Sequence, residues 1–146
     1  MKMIKDKKIF LCFDFGMRNI GVAVGQIITK TATPLKIIHA KQGIPQWHEI
    51  AKLIQEWKPD ALVVGVPLTL EGEEIEIITK ASESFIQSLK EHFHLEVFAA
   101  DEQLTTKAAR EVIYESGGYK ALQKTDIDSI AAKLILEAWM EERKDN

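Results

Sequence analysis

The run Ala61-Leu62-Val63-Val64-Gly65-Val66 is apolar at every position, rich in β-branched residues and stopped by Pro67. A run with no polar side predicts a strand buried on both faces, and such strands belong to parallel sheets covered by helices. The flanking periods agree. Upstream, Trp47, Ile50, Ala51, Ile54 and Trp57 recur at helical spacing until Lys58-Pro59-Asp60 ends the helix. Downstream, after a polar loop around Glu71-Gly72-Glu73, a segment from about Ile75 to Phe93 sets Ile78, Phe85, Ile86 and Leu89 along one stripe.

The first forty residues alternate at shorter range. Three strand-like runs, roughly 8–15, 20–26 and 35–40, are separated by turn chemistry at Gly16 and near Thr33-Pro34, which describes a meander. Beyond the second helix, Leu95 to Ala100 predicts a further strand ending at Asp101-Glu102. A helix then runs from about Thr105 to Glu115, stopped by Gly117-Gly118. A last helix spans about Asp126 to Arg143, with Ile127, Ile130, Ala131, Leu134, Ala138 and Trp139 as its buried stripe. The order β-β-β-α-β-α-β-α-α, with right-handed crossovers between parallel strands, gives an α/β fold: a mixed five-stranded sheet with helices on both faces. At 146 residues, with no repeat or linker, one domain covers 1–146.

Several function classes drop out. No apolar stretch approaches the ~20 residues that span a bilayer, and Met1 to Lys8 leads into a strand pattern rather than a signal peptide, so a cytoplasmic protein without a membrane partner is expected. Cys12 is the single cysteine and lies inside an apolar run, which excludes an internal disulfide and a thiolate cluster. His39, His48, His92 and His94 have no zinc-type spacing, and solvated or turn positions explain them. A catalytic metal would therefore have oxygen ligands. The net charge of -3 hides an uneven distribution: residues 1–43 carry eight Lys and Arg against Asp6 and Asp14. A phosphate backbone could be attracted to such a basic third, although lysines at strand edges also serve simply to block edge pairing.

Three acidic sites lie where an element end can aim them. Asp14 closes Ile9-Phe10-Leu11-Cys12-Phe13, Asp101-Glu102 closes the last strand, and Asp128 lies in the final helix three, seven and eleven residues before Ala131, Ile135 and Trp139. The crevice beyond the carboxyl ends of parallel strands is the usual ligand site in such sheets. Glycines near Asp14 would let a backbone or phosphate approach. Period-two alternation turns only one of Asp101 and Glu102 toward the site. Thr125-Asp126-Ile127-Asp128 also matches a capping box, which would account for Asp128 without chemistry. Carboxylates gathered in one crevice repel, and Mg²⁺ relieves that repulsion. Two such ions about 3.5–4 Å apart would suit phosphodiester hydrolysis.

Asp14-Phe15-Gly16-Met17-Arg18-Asn19-Ile20-Gly21-Val22-Ala23, Val63-Val64-Gly65-Val66-Pro67-Leu68, Asp101-Glu102-Gln103-Leu104-Thr105-Thr106 and Asp128-Ser129-Ile130-Ala131-Ala132, in this order, resemble the YqgF/RuvX family of Holliday-junction-resolvase-like nucleases. The resemblance covers nearly the whole chain. It implies an RNase H-like fold and a cytoplasmic enzyme that matures the 5′ end of pre-16S rRNA in ribosome biogenesis, by hydrolysis dependent on Mg²⁺ or Mn²⁺. By motif, it implies Asp14, Glu102 and Asp128 as catalytic acids and metal ligands, with Asp101 a less certain neighbour. Where the family usually has Arg after Asp-Glu, this chain has Gln103, which removes a fixed charge; Arg18, Lys107 and Arg110 are candidates to bind nucleic acid in its place.

The expected partners are pre-rRNA or structured nucleic acid, and the ribosome, with the protein a monomer or weak homodimer. Two alternatives stand beside this reading: a Holliday junction resolvase, which needs two active sites, and a non-catalytic RNA-binding assembly factor. The Asp14 to Gly21 hairpin also resembles the first phosphate loop of actin-like ATP-handling folds, but 146 residues leave no room for their second domain.

Overall fold

In the computed structural model, which describes residues 8–66, 73–101 and 124–143, Ala61 to Val66 is the strand its composition predicts. Along the chain lie β1 (Ile9–Asp14), β2 (Asn19–Gln26), β3 (Thr31–Lys41), β4 (Ile44–Pro45), α1 (Trp47–Trp57), β5 (Ala61–Val66), α2 (Glu73–Phe93), β6 (Glu96–Asp101) and α3 (Lys124–Glu142). Their sheet order is β4-β3-β2-β1-β5-β6. β5 pairs in parallel with β1 on one side and β6 on the other, while β1, β2, β3 and β4 form an antiparallel meander.

Alternation along the strands sorts the core into two layers. Leu11 and Phe13 of β1, with Leu62 and Val64 of β5, pack against Ile50 and Leu53 of α1 and Phe85 and Leu89 of α2. On the other face, Phe10 and Cys12, with Ala61 and Val63, pack against Ala132, Ile135, Leu136, Trp139 and Met140 of α3. Helices therefore cover both faces. Lys58 closes α1 with a left-handed φ of 47° while its amide donates to the Ile54 carbonyl, and Pro59 follows as a helix stop.

Three expectations need correction. The sheet has six strands rather than five. The extra one is the two-residue β4, joined to β3 by Gln42 and Gly43, whose φ values of 53° and 81° are those of a tight hairpin turn. A strand that short has no alternation to read. The turn expected near Thr33-Pro34 lies instead at residues 27–30, and β3 runs through Pro34. Pro34 is tolerated because this stretch of β3 has only β2 beside it. The Ala32 amide, two residues earlier and on the same edge, donates outward to Glu137 at 3.0 Å, whereas Pro34 has no amide to satisfy. Finally, α3 begins at Lys124, with Thr125 in its first turn rather than at its cap, and its buried face is rotated from the expected one. Ser129, Ala132, Ile135, Leu136, Trp139 and Met140 are buried, while Ile130, Ala131, Leu134 and Ala138 are half-buried. Apolar residues on nearly every side of this helix left its period unable to choose a face.

Asp60 ties the start of β1 to β5. Its Oδ2 accepts the Lys8 and Ile9 amides at 2.8 and 3.0 Å, and its own amide donates to the Ile9 carbonyl at 2.7 Å. Asp60→Ala removes a charged acceptor from two amides, and a cost of about 1–3 kcal/mol is expected. Urea unfolding should show a lower midpoint at an unchanged slope.

Candidate active site

Asp14 ends β1, the strand at the junction of the parallel and antiparallel halves of the sheet. It stands opposite Gly21 of β2 and Gly65 of β5, so no side chain flanks it on either neighbouring strand. The Phe15 amide still donates to the Gly65 carbonyl at 3.2 Å, which fixes the backbone just beyond the carboxylate. Asp14 is 8% exposed, and its phase is that of Phe10 and Cys12, on the α3 face. A carboxylate this enclosed is aimed by its strand rather than free to sweep through solvent.

The course of α3 follows from its contacts. Trp139 packs edge-on against Phe10 at the start of β1 with ring centroids 5.1 Å apart, and a Cβ on Gly25, the partner of Phe10, would meet Leu136 and Met140. Toward its other end, Ser129 Oγ donates to the Leu35 carbonyl at 2.6 Å, and Ile135 covers Gly65. The helix thus runs antiparallel to β1. From Trp139 back to position 128 it rises about 16 Å, and from Phe10 to Asp14 the strand advances about 13 Å. The first turn of α3, with its positive helix end, consequently lies at the end of the sheet that holds Asp14.

Asp101 ends β6 at the same end of the sheet, in register with Val66, with β5 between it and β1. Phe98 and Ala100 share the α3 layer, whereas Val97 belongs to the opposite one. The backbone thus brings positions 14, 101 and 128 to one end. The side chains of Asp101 and Asp128 lie outside the described residues, as do Glu102, Gln103, Lys107, Arg110 and the helix expected over 105–115. Among the described residues, no three His, Cys, Asp or Glu side chains gather as a metal group. Arg18 lies in the turn between β1 and β2, exposed, and its carbonyl accepts the Ala40 amide at 2.7 Å.

Close packing of protein accounts for two glycines around Asp14, and at Gly16 the close neighbour is a backbone, as expected. A Cβ on Gly65 would lie 2.8 Å from Ile135 Cδ1, and one on Gly16 would collide with the Asn19 carbonyl oxygen of its own turn. Gly16 thus admits the backbone of its own turn, and Gly65 admits a side chain of α3. Two polar anchors of α3 were also invisible in sequence: Ser129, holding the Leu35 carbonyl, and Glu137, holding the Ala32 amide. A serine and a glutamate on a mostly apolar helix give no sign of which strand they will meet. His39, expected in a solvated or turn position, is exposed on β3, its Nδ1 3.0 Å from Asn19 Oδ1. The signal for that edge was the absence of any Asp or Glu between Asp14 and Glu49.

Residues 8–142 match the family model described as RuvX, Holliday junction resolvase. The chain is 52% identical over 134 residues to the "Putative pre-16S rRNA nuclease" of Shewanella oneidensis, covering 92% of this chain and 94% of that protein. It is 51% identical over 131 residues to the protein of the same name from Aeromonas salmonicida, covering 90% and 93%. Among solved structures, T. thermophilus RuvC in complex with a Holliday junction substrate superposes with a TM-score of 0.60 at 14% identity, covering 93% of this chain and 95% of that one. The Fowlpox virus resolvase, also solved with Holliday junction DNA, gives 0.55 at 17% identity, covering 94% and 99%. These likenesses establish the RNase H-like fold. With the family model spanning almost its whole length and relatives half identical to it, the chain belongs to the RuvX family of resolvase-like nucleases.

Proposed function

We propose that this protein is a cytoplasmic, metal-dependent nuclease that matures the 5′ end of pre-16S rRNA, with Asp14, Glu102 and Asp128 as its catalytic acids. The observation that carries the reading is Asp14, a buried carboxylate at the end of a central strand, facing the layer that α3 covers. The names of relatives about half identical over nine-tenths of the chain support the substrate. Of Asp101 and Glu102, the match to the family motif favours Glu102 as the acid.

An all-carboxylate donor set suits a hard dication, and the single cysteine, Cys12, is buried in the apolar layer under α3. Asp14, Glu102 and Asp128 would hold Mg²⁺ or Mn²⁺, which in a two-ion arrangement supplies Lewis acidity at the phosphodiester and an activated water. The chain itself holds Asp14 at the end of β1, packs Ile135 over the neighbouring Gly65, and offers Arg18 to the substrate backbone. Arg18, Lys107 and Arg110 bind the RNA, within an assembling ribosomal particle, and the protein acts as a monomer or weak homodimer.

Arg18→Ala should weaken binding to the RNA and lower the slope of log K against log salt by about 0.7, the share of one phosphate contact on a single strand. An unchanged slope would remove Arg18 from this role. The function itself is tested by offering the wild type a pre-16S 5′-leader RNA and a four-way DNA junction side by side in Mg²⁺. Cleavage of the RNA in preference is expected; symmetric cutting of the junction alone would assign the protein to junction resolution.

A further inference from the structure

The antiparallel half of the sheet is chemically unlike the rest of the molecule. Between Asp14 and Glu49 there is no acidic residue, in a chain whose Asp and Glu outnumber its Lys and Arg. Glu137, which reaches β3 from α3, sits at the far end of that strand, on the Ala32 amide. At the near end, beside Asp14, the backbone draws three basic residues together. The Ala40 amide donates to the Arg18 carbonyl at 2.7 Å and the Gly43 amide to the Met17 carbonyl at 2.8 Å, so the turn after β1 is clasped to the end of β3. Arg18, His39 and Lys41 are all exposed there, and none has an ion pair among the described residues.

The pleat gives this cluster a direction. Ile38 and Ala40 pack into the α1/α2 layer, so His39 and Lys41 stand on the opposite face, the one toward which Asp14 is turned. A bulge in β3 makes this so. Two residues of β2, from Ile20 to Val22, span three of β3, from Leu35 to Ile38, which reverses the parity of everything beyond. Asn19, two residues before the Gly21 opposite Asp14, lies directly across from His39 and accepts from its Nδ1. That bond fixes the ring and leaves Nε2 for a ligand.

We propose that His39 and Lys41, continuing from Arg18, form a ledge that binds the phosphodiester backbone of the nucleic-acid strand as it leaves the Asp14 site. In the bound state His39 keeps Nδ1 on Asn19 Oδ1 and turns its Nε2 edge to a phosphate oxygen, and Lys41 takes a neighbouring phosphate. Same-face positions on a strand repeat at about 6.7 Å, so one extended strand can meet both. The contact is to phosphate and is indifferent to sequence. This rests on the nuclease reading for its substrate, but not for its test.

The test is binding without turnover: fluorescence anisotropy of a labelled pre-16S leader RNA, and of DNA of the same sequence, in EDTA across a salt series. His39→Ala/Lys41→Ala should lose about tenfold in affinity for both strands and flatten the salt slope by about 1.4, the value for two single-strand phosphate contacts. Lys90→Ala, an exposed lysine on α2, should change neither. Wild-type affinity and slope in the double variant would overturn the ledge, as would a wild type that does not bind. A loss confined to RNA would overturn it too, because phosphate contacts do not read the 2′-hydroxyl. Failure of the wild type to cleave in Mg²⁺ would instead count against the nuclease reading and leave the ledge standing.

Discussion

Asp14→Asn should leave a folded protein that binds RNA normally and cleaves it at least about a thousandfold more slowly, the upper range for removing one electrostatic contact at a reacting centre. The substitution preserves volume at a site that is 8% exposed and flanked across both neighbouring strands by glycine, so packing has little reason to change. What it removes is the negative charge and one of two oxygen donors, both of which a hard dication needs. Single-turnover cleavage beside anisotropy and a thermal melt separates the possibilities. A variant that melts normally and cleaves within a few fold of wild type would take Asp14 out of the chemistry.

Gly65→Val carries the largest expected effect on structure. The space above Gly65 already holds Ile135, and a Cβ there would stand 2.8 Å from Cδ1 and 3.3 Å from Cγ2. A branched side chain must push α3 off the sheet, which costs about 1–3 kcal/mol by overpacking. The same displacement lifts the first turn of α3, and Asp128 with it, away from the end of β1. Cleavage should therefore fall further than the lost stability explains at a temperature where the variant is folded. Ile135→Ala in the same chain makes room, so the double variant should be more stable than the sum of the two single costs. Strict additivity would mean that Gly65 and Ile135 do not share the space described.

How much of this was legible in the sequence depended on whether a residue's neighbours were near in the chain. Ala61 to Val66 needed only its own composition to be read as a doubly covered strand, and Lys58-Pro59 only its own backbone preferences to end α1. Asp14 could be placed at a strand end from the apolar run before it. The buried face of α3 could not be read, because Ile130, Leu134, Ile135, Leu136 and Met140 surround the helix and only the sheet decides among them. Pro34 was misread for a similar reason: a proline is a turn residue unless the edge it faces is open, and that is a fact about β2 and Glu137. A close approach at Gly16 was expected, but that its neighbour is the Asn19 carbonyl, and that Gly65 makes room for Ile135, depends on contacts the local sequence does not carry. His39 acquired its partner through a strand pairing that no local pattern announces.

The most direct measurement follows the 5′ end of a leader-bearing pre-16S RNA incubated with the wild-type protein in Mg²⁺ and, in parallel, in EDTA. A carboxylate–metal nuclease at Asp14 should generate the mature 5′ end in Mg²⁺ and leave the precursor intact in EDTA. Tight binding with an intact precursor in both would contradict it, and would make the protein an RNA-binding assembly factor on a nuclease scaffold.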